Sequence, residues 1–218
     1  MRTLSRSALL GGMLLGLLWL GGCASLPETD ESMTPSTTGA MDSDAQRLEL
    51  WLNRQRAMQK LDHWRSEGRA AILAQNGGGQ ISFDWQHKPN EQILSIKTPL
   101  GQNALQLTIN PGGATLVDHE GQVLQGEDGE SLLQQALGWS VPIEFMRAWL
   151  LGLPATRSDS YTLDAQGRLL TLESQGWVIE YKRYGNDGET SQGFSLPSKL
   201  ELRRSELTLR LVIDRWQM

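Results

Sequence analysis

The chain has 218 residues, a formal net charge of −5 and one cysteine. Its length suits a single domain, and its apolar fraction of 39% is enough to form a core. The acidic balance and the lack of a basic block exclude a nucleic-acid-binding protein.

The first 22 residues have the pattern of a secretory signal peptide. Arg2 and Arg6 precede an apolar stretch over residues 8–20, and small residues follow it. The stretch lasts only about 13–15 residues, whereas a membrane-spanning helix needs about 20, so the pattern does not favour an uncleaved transmembrane anchor. Removing this segment takes away both arginines and makes the mature chain more negative.

The residues Leu-Gly-Gly-Cys at positions 20–23 resemble the lipobox of bacterial lipoproteins. In that class of protein the cysteine thiol is acylated, the signal is cut before the cysteine, and the new amino group is acylated too. The alternative is a plain secretory signal with an incidental cysteine, but a spare thiol in an oxidising compartment is a liability. By the same resemblance, Ala24 and Ser25 after Cys23, in place of aspartate, favour the outer membrane.

Residues 23–43 are expected to form the acylated N-terminus and a flexible tether. Their composition is polar and cannot bury enough apolar surface to fold, and about 20 such residues span roughly 25 Å. Residues 44–218 then form one domain, which begins with a helix capped by Ser43 and Gln46. The predicted buried face of this helix comprises Leu48, Trp51, Leu52, Gln55, Met58 and Leu61.

From about Trp64 the apolar pattern changes to a period of two. Ile81, Phe83 and Trp85 alternate with polar residues, and the same alternation recurs over residues 105–109. About eleven short strands, separated by Gly, Asn and Pro turns, predict an antiparallel sandwich or barrel. A sheet this large tends to curl, and helices over its mouth would enclose a cavity.

Two short helices are predicted to interrupt the strands. One covers residues 130–137, and the other starts at Pro142 and ends at Gly152 and Pro154. Because this insert is apolar nearly all round, it must be buried or must cover something apolar.

The sequence contains no recognisable catalytic or metal-binding motif. His63, His87 and His119 are isolated in polar or turn-like settings, and we expect them on the surface. The acidic residues around Asp128 are expected to complement the dipole of the following helix. Residues 77–79, Gly-Gly-Gly, are expected to be the mobile tip of a hairpin. These features predict a protein that is not an enzyme and needs no metal.

The segment from Thr98 to Gln102 is predicted to be a turn between two strands, since it contains Pro99 and Gly101. A large apolar residue, Leu100, stands at its centre. Leu100 either folds back onto the core or protrudes as an apolar tip that touches lipid.

Four motifs together resemble the LolB family of outer-membrane lipoproteins. They are Pro99-Leu100-Gly101, the run Arg-Ala-Trp-Leu-Leu-Gly-Leu-Pro at 147–154, the pair Trp177 and Tyr181, and Ile-Asp-Arg-Trp at 213–216. The run at 147–154 is the most specific. The order of strands and helices also fits over about residues 45–216, and the tether before them is longer than this family leads us to expect.

The resemblance implies a mainly β fold, an incomplete antiparallel barrel of about eleven strands with an N-terminal helix and a helical lid over an apolar cavity. It implies a lipid-anchored protein of the outer membrane, facing the periplasm, that accepts acylated lipoproteins from the periplasmic carrier LolA. The protein would insert these clients into the inner leaflet of the outer membrane without nucleotide. Its partners would be LolA, the clients' acyl chains and membrane lipid, and we expect a monomer with no cofactor beyond the lipid on Cys23.

The site residues follow from the same resemblance. In this family the leucine that matches Leu100 helps to place the client into the membrane, so Pro99, Leu100 and Gly101 form the expected membrane-insertion loop. The expected lid and cavity lining comprises Phe145, Met146, Trp149, Leu150, Leu151 and Leu153. Two alternatives stay open: a lipid-anchored binding module for another amphiphile, and a structural lipoprotein with a packed interior.

Overall fold

Eleven antiparallel strands form one continuous sheet in the computed structural model, which describes residues 37–75, 77–185 and 193–218. Residues 37–218 belong to one compact unit. Cys23 and most of the expected tether lie outside the described residues. The predicted mainly β fold with eleven strands is confirmed.

The strands are β1 (Trp64–Ala74), β2 (Gly77–Lys88), β3 (Glu91–Lys97), β4 (Asn103–Asn110), β5 (Gly113–Asp118), β6 (Val123–Gly126), β7 (Ser160–Leu163), β8 (Leu169–Ser174), β9 (Trp177–Tyr184), β10 (Pro197–Arg204) and β11 (Leu207–Gln217). The helices are α1 (Thr37–Met58), α2 (Gly129–Leu137) and α3 (Ile143–Leu150).

The order of strands across the sheet explains where the helices lie. It runs β6-β5-β4-β3-β2-β1-β11-β10-β9-β8-β7, so the first and last strands of the chain pair at the centre. β6 and β7 are the two edges of the sheet, and the segment that carries α2 and α3 connects them. Helices α2 and α3 therefore lie in the connection between the two edges, and α2 contacts β4, β5 and β6.

One face of the sheet carries the core because apolar side chains recur at every second residue. In β2, Phe83 and Trp85 are buried, and in β10, Leu200 and Leu202 are buried. Burial of this face supplies the main stabilising free energy, at about 25 cal/mol per Å² of apolar surface. The opposite face carries mostly charged and polar side chains.

Helix α1 differs from its predicted form in two ways. It begins at Thr37, six residues before the predicted cap at Ser43. Its buried face contains Trp51, Arg54, Ala57 and Met58, whereas Leu48 and Leu52 are 52% and 45% exposed.

The contacts of α1 with the rest of the fold explain this choice of face. The Trp51 indole Nε1 donates to the Tyr161 hydroxyl at 3.0 Å, and Arg54 donates to the carbonyl oxygen of Ser195 at 2.6 Å. These two polar anchors on β7 and on the segment before β10 orient the helix more strongly than its leucines do.

Residues 77–79 also differ from the prediction. These glycines pair with Ile72, Leu73 and Ala74 as the first residues of β2, so they lie within the strand and not at the hairpin tip. Among the described residues, no helix is long and apolar enough to cross a membrane.

Candidate functional site

Local sequence signals hold α2 and α3 in place. The Asp128 carboxylate caps α2 by accepting hydrogen bonds from the backbone N–H and the hydroxyl of Ser131, both at 2.8 Å. These bonds lower the pKa of Asp128 and confirm the predicted acidic start of the helix. Gly138 ends α2 in the left-handed conformation at φ 79°, and its N–H donates to the carbonyl oxygen of Gln134.

Helix α3 follows Pro142, as predicted, and ends before Gly152, which has φ 71°. Its Ile143, Met146, Trp149 and Leu150 side chains are buried. Side chains from α3, from α2 and from the inner face of the sheet therefore meet in one apolar interior.

A cavity of about 60 Å³ lies in this interior and has no polar lining. The sheet contributes nine lining residues and the helical segment seven. The lining residues are Ala70, Ile72, Ile81, Phe83, Trp85, Leu94, Ile96, Leu209 and Leu211 from the sheet, and Leu133, Leu137, Trp139, Val141, Ile143, Met146 and Leu150 from the helical segment.

This cavity is smaller than a site for an organic ligand. Pockets for organic ligands usually measure about 300–1,000 Å³. The interior of this structure is therefore nearly filled by its own side chains. The large cavity expected from the sequence is absent from the described part of the chain in this conformation.

A wider groove of about 790 Å³ opens at one end of the interior. Its walls are the start of β2, the connection between α2 and α3, and the turn between β10 and β11 around Arg204. Ile72, Ile81, Leu137 and Trp139 line both the groove and the cavity. These four side chains form the boundary that the cavity and the groove share.

The six predicted lid residues fall into two groups, those that line the cavity and those that lie beside it. Met146 and Leu150 line the cavity. Trp149, Leu151 and Leu153 are buried next to it, and Phe145 is partly buried and stacks on Trp149 with ring centroids 6.4 Å apart. Trp149 also contacts Trp177 of β9 at 6.2 Å.

Sequence analysis missed Trp139 and Val141 as lining residues. They lie in the connection between α2 and α3, which has no helical or strand periodicity. The one signal that marked them was the apolar character of the whole insert.

Two polar contacts fasten α3 to the sheet. The Tyr181 hydroxyl donates to the carbonyl oxygen of Trp149 at 2.9 Å. Nearer the start of α3, Arg147 Nη1 lies 3.1 Å from His87 Nε2. A guanidinium group only donates, so the His87 ring accepts through Nε2 and is neutral.

His87 is 6% exposed, so the predicted surface position of this histidine is wrong. The alternation of β2 places it on the inner face after Phe83 and Trp85, beside the Trp64 ring at 5.3 Å. Burial, together with the charge of Arg147, lowers the pKa of His87 to about 4. The other two predicted surface histidines, His63 and His119, are exposed as expected.

The predicted loop between β3 and β4 stands out from the surface. Thr98 N–H donates to Gln102 and Gly101 N–H donates to Thr98, at 2.9 and 2.8 Å, which closes a tight turn. Leu100 is 89% exposed, more than any other large apolar side chain described. It does not fold back onto the core.

No cluster of metal-binding side chains occurs among the residues that the structure describes. The site offers apolar contacts: a nearly filled interior under α3, a groove next to it and a separate exposed leucine.

Known proteins have sequences similar to this one over most of its length. The family described as Outer membrane lipoprotein LolB matches residues 62–216. A protein of Nitrosococcus oceani named Outer-membrane lipoprotein LolB is 35% identical over 208 residues, which cover 94% of this chain and 96% of the relative. One of the same name in Pseudomonas paraeruginosa is 36% identical over 203 residues and 92% of each chain.

The chain belongs to the LolB family. The matched LolB region starts just before β1 and ends within β11, so it includes the Leu100 loop, α2 and α3. Solved structures with a similar fold include a LolA superfamily protein from Nitrosomonas europaea, with a TM-score of 0.48 and 11% identity over 79% of this chain and 93% of that chain. Another is described as a putative outer membrane lipoprotein-sorting protein domain from Vibrio parahaemolyticus. Its TM-score is 0.49, with 7% identity over 78% of this chain and 91% of that chain.

Proposed function

We propose that this protein is anchored to the outer membrane through lipid on Cys23, faces the periplasm and accepts acylated lipoproteins from the carrier LolA. It then transfers them into the inner leaflet of the outer membrane. Membership of the LolB family supports this role, as do relatives whose name is Outer-membrane lipoprotein LolB. The observation that carries the proposal is the apolar interior under α3, with a groove next to it.

Acyl chains of the client would enter through the groove and occupy the interior. Each buried CH₂ group gains about 0.8 kcal/mol, so a chain that leaves one apolar site needs another before it crosses water. Because the cavity holds only about 60 Å³, α3 and the side chains around Trp139 must move outward when an acyl chain binds. Displacing them costs free energy, which keeps binding weak enough for the client to leave again.

No energy source is needed if each site in the sequence binds the client more favourably than the one before. The carrier delivers the acyl chain to this interior, and the bilayer then receives it. Nucleotide has no part in the proposed transfer.

The exposed leucine has the second role. Leu100 at the tip of its turn can enter the apolar part of a bilayer, which brings the interior close to the membrane that receives the client. The residues Pro99 and Gly101 hold the turn, and Gly101 has φ 82°, a conformation that glycine adopts without strain.

A two-step assay tests both roles. LolA loaded with an acylated client is mixed with residues 24–218, which include the whole compact unit from residue 37, and vesicles are added afterwards. The wild-type chain should take the client from the carrier without nucleotide and then release it into the vesicles. Leu100→Glu should accept the client normally but insert it several-fold more slowly, because a carboxylate does not enter the bilayer.

Two results would count against the proposal. If the client stays on the carrier while this protein is folded, the acceptor role is wrong, and the interior belongs to another amphiphile or is simply packed. If Leu100→Glu inserts clients at the wild-type rate, the loop has no part in insertion. Leu170→Glu is the matched control, since Leu170 is also an exposed leucine, on β8.

A further inference from the structure

A row of basic side chains crosses the outer face of the sheet next to the Leu100 loop. The strand register aligns Lys97 of β3 with Ser82, Ser82 with Arg69, Arg69 with Val212, and Val212 with Lys199 of β10. Residues opposite each other in neighbouring strands point to the same face. One transverse line over five strands therefore carries three cations and no carboxylate.

A fourth cation lies close to the row. Arg210 lies one line away on the same face.

These residues form the wall of a groove on the outer face, of about 450 Å³. Arg69, Lys199 and Arg210 line it together with Pro99, the residue next to Leu100. No Asp or Glu side chain is among the described residues that line this groove. The basic row and the protruding leucine thus belong to one continuous surface.

The ion pairs around the groove leave part of its charge uncompensated. Arg69 pairs with Asp214 at 2.9 Å and Arg210 with Glu201 at 2.9 Å, and both arginines stay more than half exposed. Lys97 and Lys199 form no ion pair with the residues that the structure describes.

We propose that this basic row binds the phosphate headgroups of the membrane that Leu100 enters. The proposal rests on the membrane role of Leu100 given above and goes beyond it, because it assigns a second, electrostatic contact to the sheet surface beside the loop. An apolar tip beside a cationic surface matches the two layers of a bilayer surface, acyl chains inside and anionic headgroups outside. The row would also fix the angle at which the sheet meets the membrane.

The spacing of the row suits cooperation between its charges. Strands lie about 4.8 Å apart, so Lys97, Arg69 and Lys199 follow each other at intervals of about 10 Å. This interval is close to the screening length of about 8 Å in physiological salt, so the potentials of neighbouring cations overlap. The whole chain is acidic, and a local positive surface is therefore what selects this face for an anionic membrane.

Vesicle binding of residues 24–218 tests the proposal. The protein is sedimented with vesicles of phosphatidylcholine alone or with about one-third phosphatidylglycerol, at low and high salt. Wild-type protein should bind the anionic vesicles more tightly, and high salt should remove the difference. Lys97→Gln with Lys199→Gln should weaken binding to anionic vesicles about fivefold for each charge removed.

The matched control removes two exposed cations elsewhere. Lys60→Gln with Arg157→Gln makes the same change in net charge and should leave vesicle binding within about twofold of wild type. The proposal is overturned if the Lys97 and Lys199 variant binds like wild type, or if both double variants lose affinity equally.

Client transfer from LolA in the absence of vesicles separates this proposal from the proposed function. The Lys97 and Lys199 variant should accept clients at the wild-type rate. Failure of transfer in the wild-type protein would refute the acceptor role alone, whereas loss of transfer in the variant would show that the row contacts the carrier and not the membrane.

Discussion

The Tyr181 hydroxyl, on β9, donates a hydrogen bond to the carbonyl oxygen of Trp149, in the last turn of α3, at 2.9 Å. Both residues are buried, at 4% and 0% exposure. The carbonyl oxygen of Trp149 also accepts from the N–H of Gly152 at 3.0 Å, so Tyr181 supplies a second donor at the end of the helix, where water has no access. This bond ties the end of α3 to the sheet, so the helix is free to move outward chiefly at its other end, near Ile143 and the groove.

Tyr181→Phe should therefore loosen α3 without emptying the core. The substitution removes one of the two hydrogen bonds that the buried carbonyl accepts and should lower the free energy of unfolding by about 1 kcal/mol. Urea unfolding measures the loss, and amide hydrogen exchange should show faster opening of α3 than of β10. Thr162→Val is the comparison: its hydroxyl bonds to that of Thr171 on the exposed sheet edge, where water replaces the lost bond. A cost as large as that of Tyr181→Phe would show that burial of the bond adds nothing.

Burial of His87, reinforced by the charge of Arg147, makes the free energy of unfolding depend on pH. Folding lowers the pKa of His87 from 6.5 to about 4, so between these values the unfolded chain binds a proton that the folded chain does not. The contribution of neutral His87 to the free energy of unfolding is fully present above about pH 6.5 and is lost as the pH falls toward 4. Between pH 7 and pH 5 the wild-type protein should lose about 2 kcal/mol through this one group.

His87→Gln should remove most of that difference. Unfolding in urea at the two pH values measures it in the variant and in wild type. His63→Gln changes an exposed histidine and should keep the wild-type dependence. Equal slopes for wild type and His87→Gln would show that His87 titrates normally in the folded protein.

The pairing of β1 with β11 requires glycine at position 68. A β-carbon at Gly68 would collide with the carbonyl oxygen of Val212 and lie 2.8 Å from Cζ of Phe83. The residue also adjoins a register shift between Glu67 and Gly68, where the strand bends. This bend helps the sheet to curl around the interior.

Gly68→Ala should lower the free energy of unfolding by about 2–3 kcal/mol, because backbone must move to admit the methyl group. Gly79→Ala is a matched control in the neighbouring strand, since nothing lies within 4 Å of its added carbon and its φ is not positive. Thermal or urea unfolding compares the two. A Gly68→Ala protein as stable as Gly79→Ala would mean that the strands adjust without cost.

Much of the fold follows from local pattern. The period-two alternation predicted the strands, and Pro142 with Gly152 predicted where α3 starts and ends, because these signals act within a few residues of the chain. Leu100 was recognisable because a large apolar residue is unusual at the centre of a turn.

The rest depends on contacts between distant segments. Leu48 and Leu52 are exposed because the polar anchors of Trp51 and Arg54 turn α1, and no periodicity shows where those partners lie. His87 is buried because β2 extends further than its apolar residues suggest. The basic row needs the register of five strands, which the sequence does not state.

The most direct test of the account is to locate the client's acyl chain. A lipoprotein with a photoreactive group near the end of its acyl chain is transferred from LolA to residues 24–218 and then crosslinked. We expect adducts on residues that line the interior, above all Met146, Leu150 and Trp139. Water-soluble scavengers of the photoreactive group should not lower the yield of these adducts. Adducts confined to the outer face or to the Leu100 loop would contradict the account, since the interior would then stay closed while the client is bound.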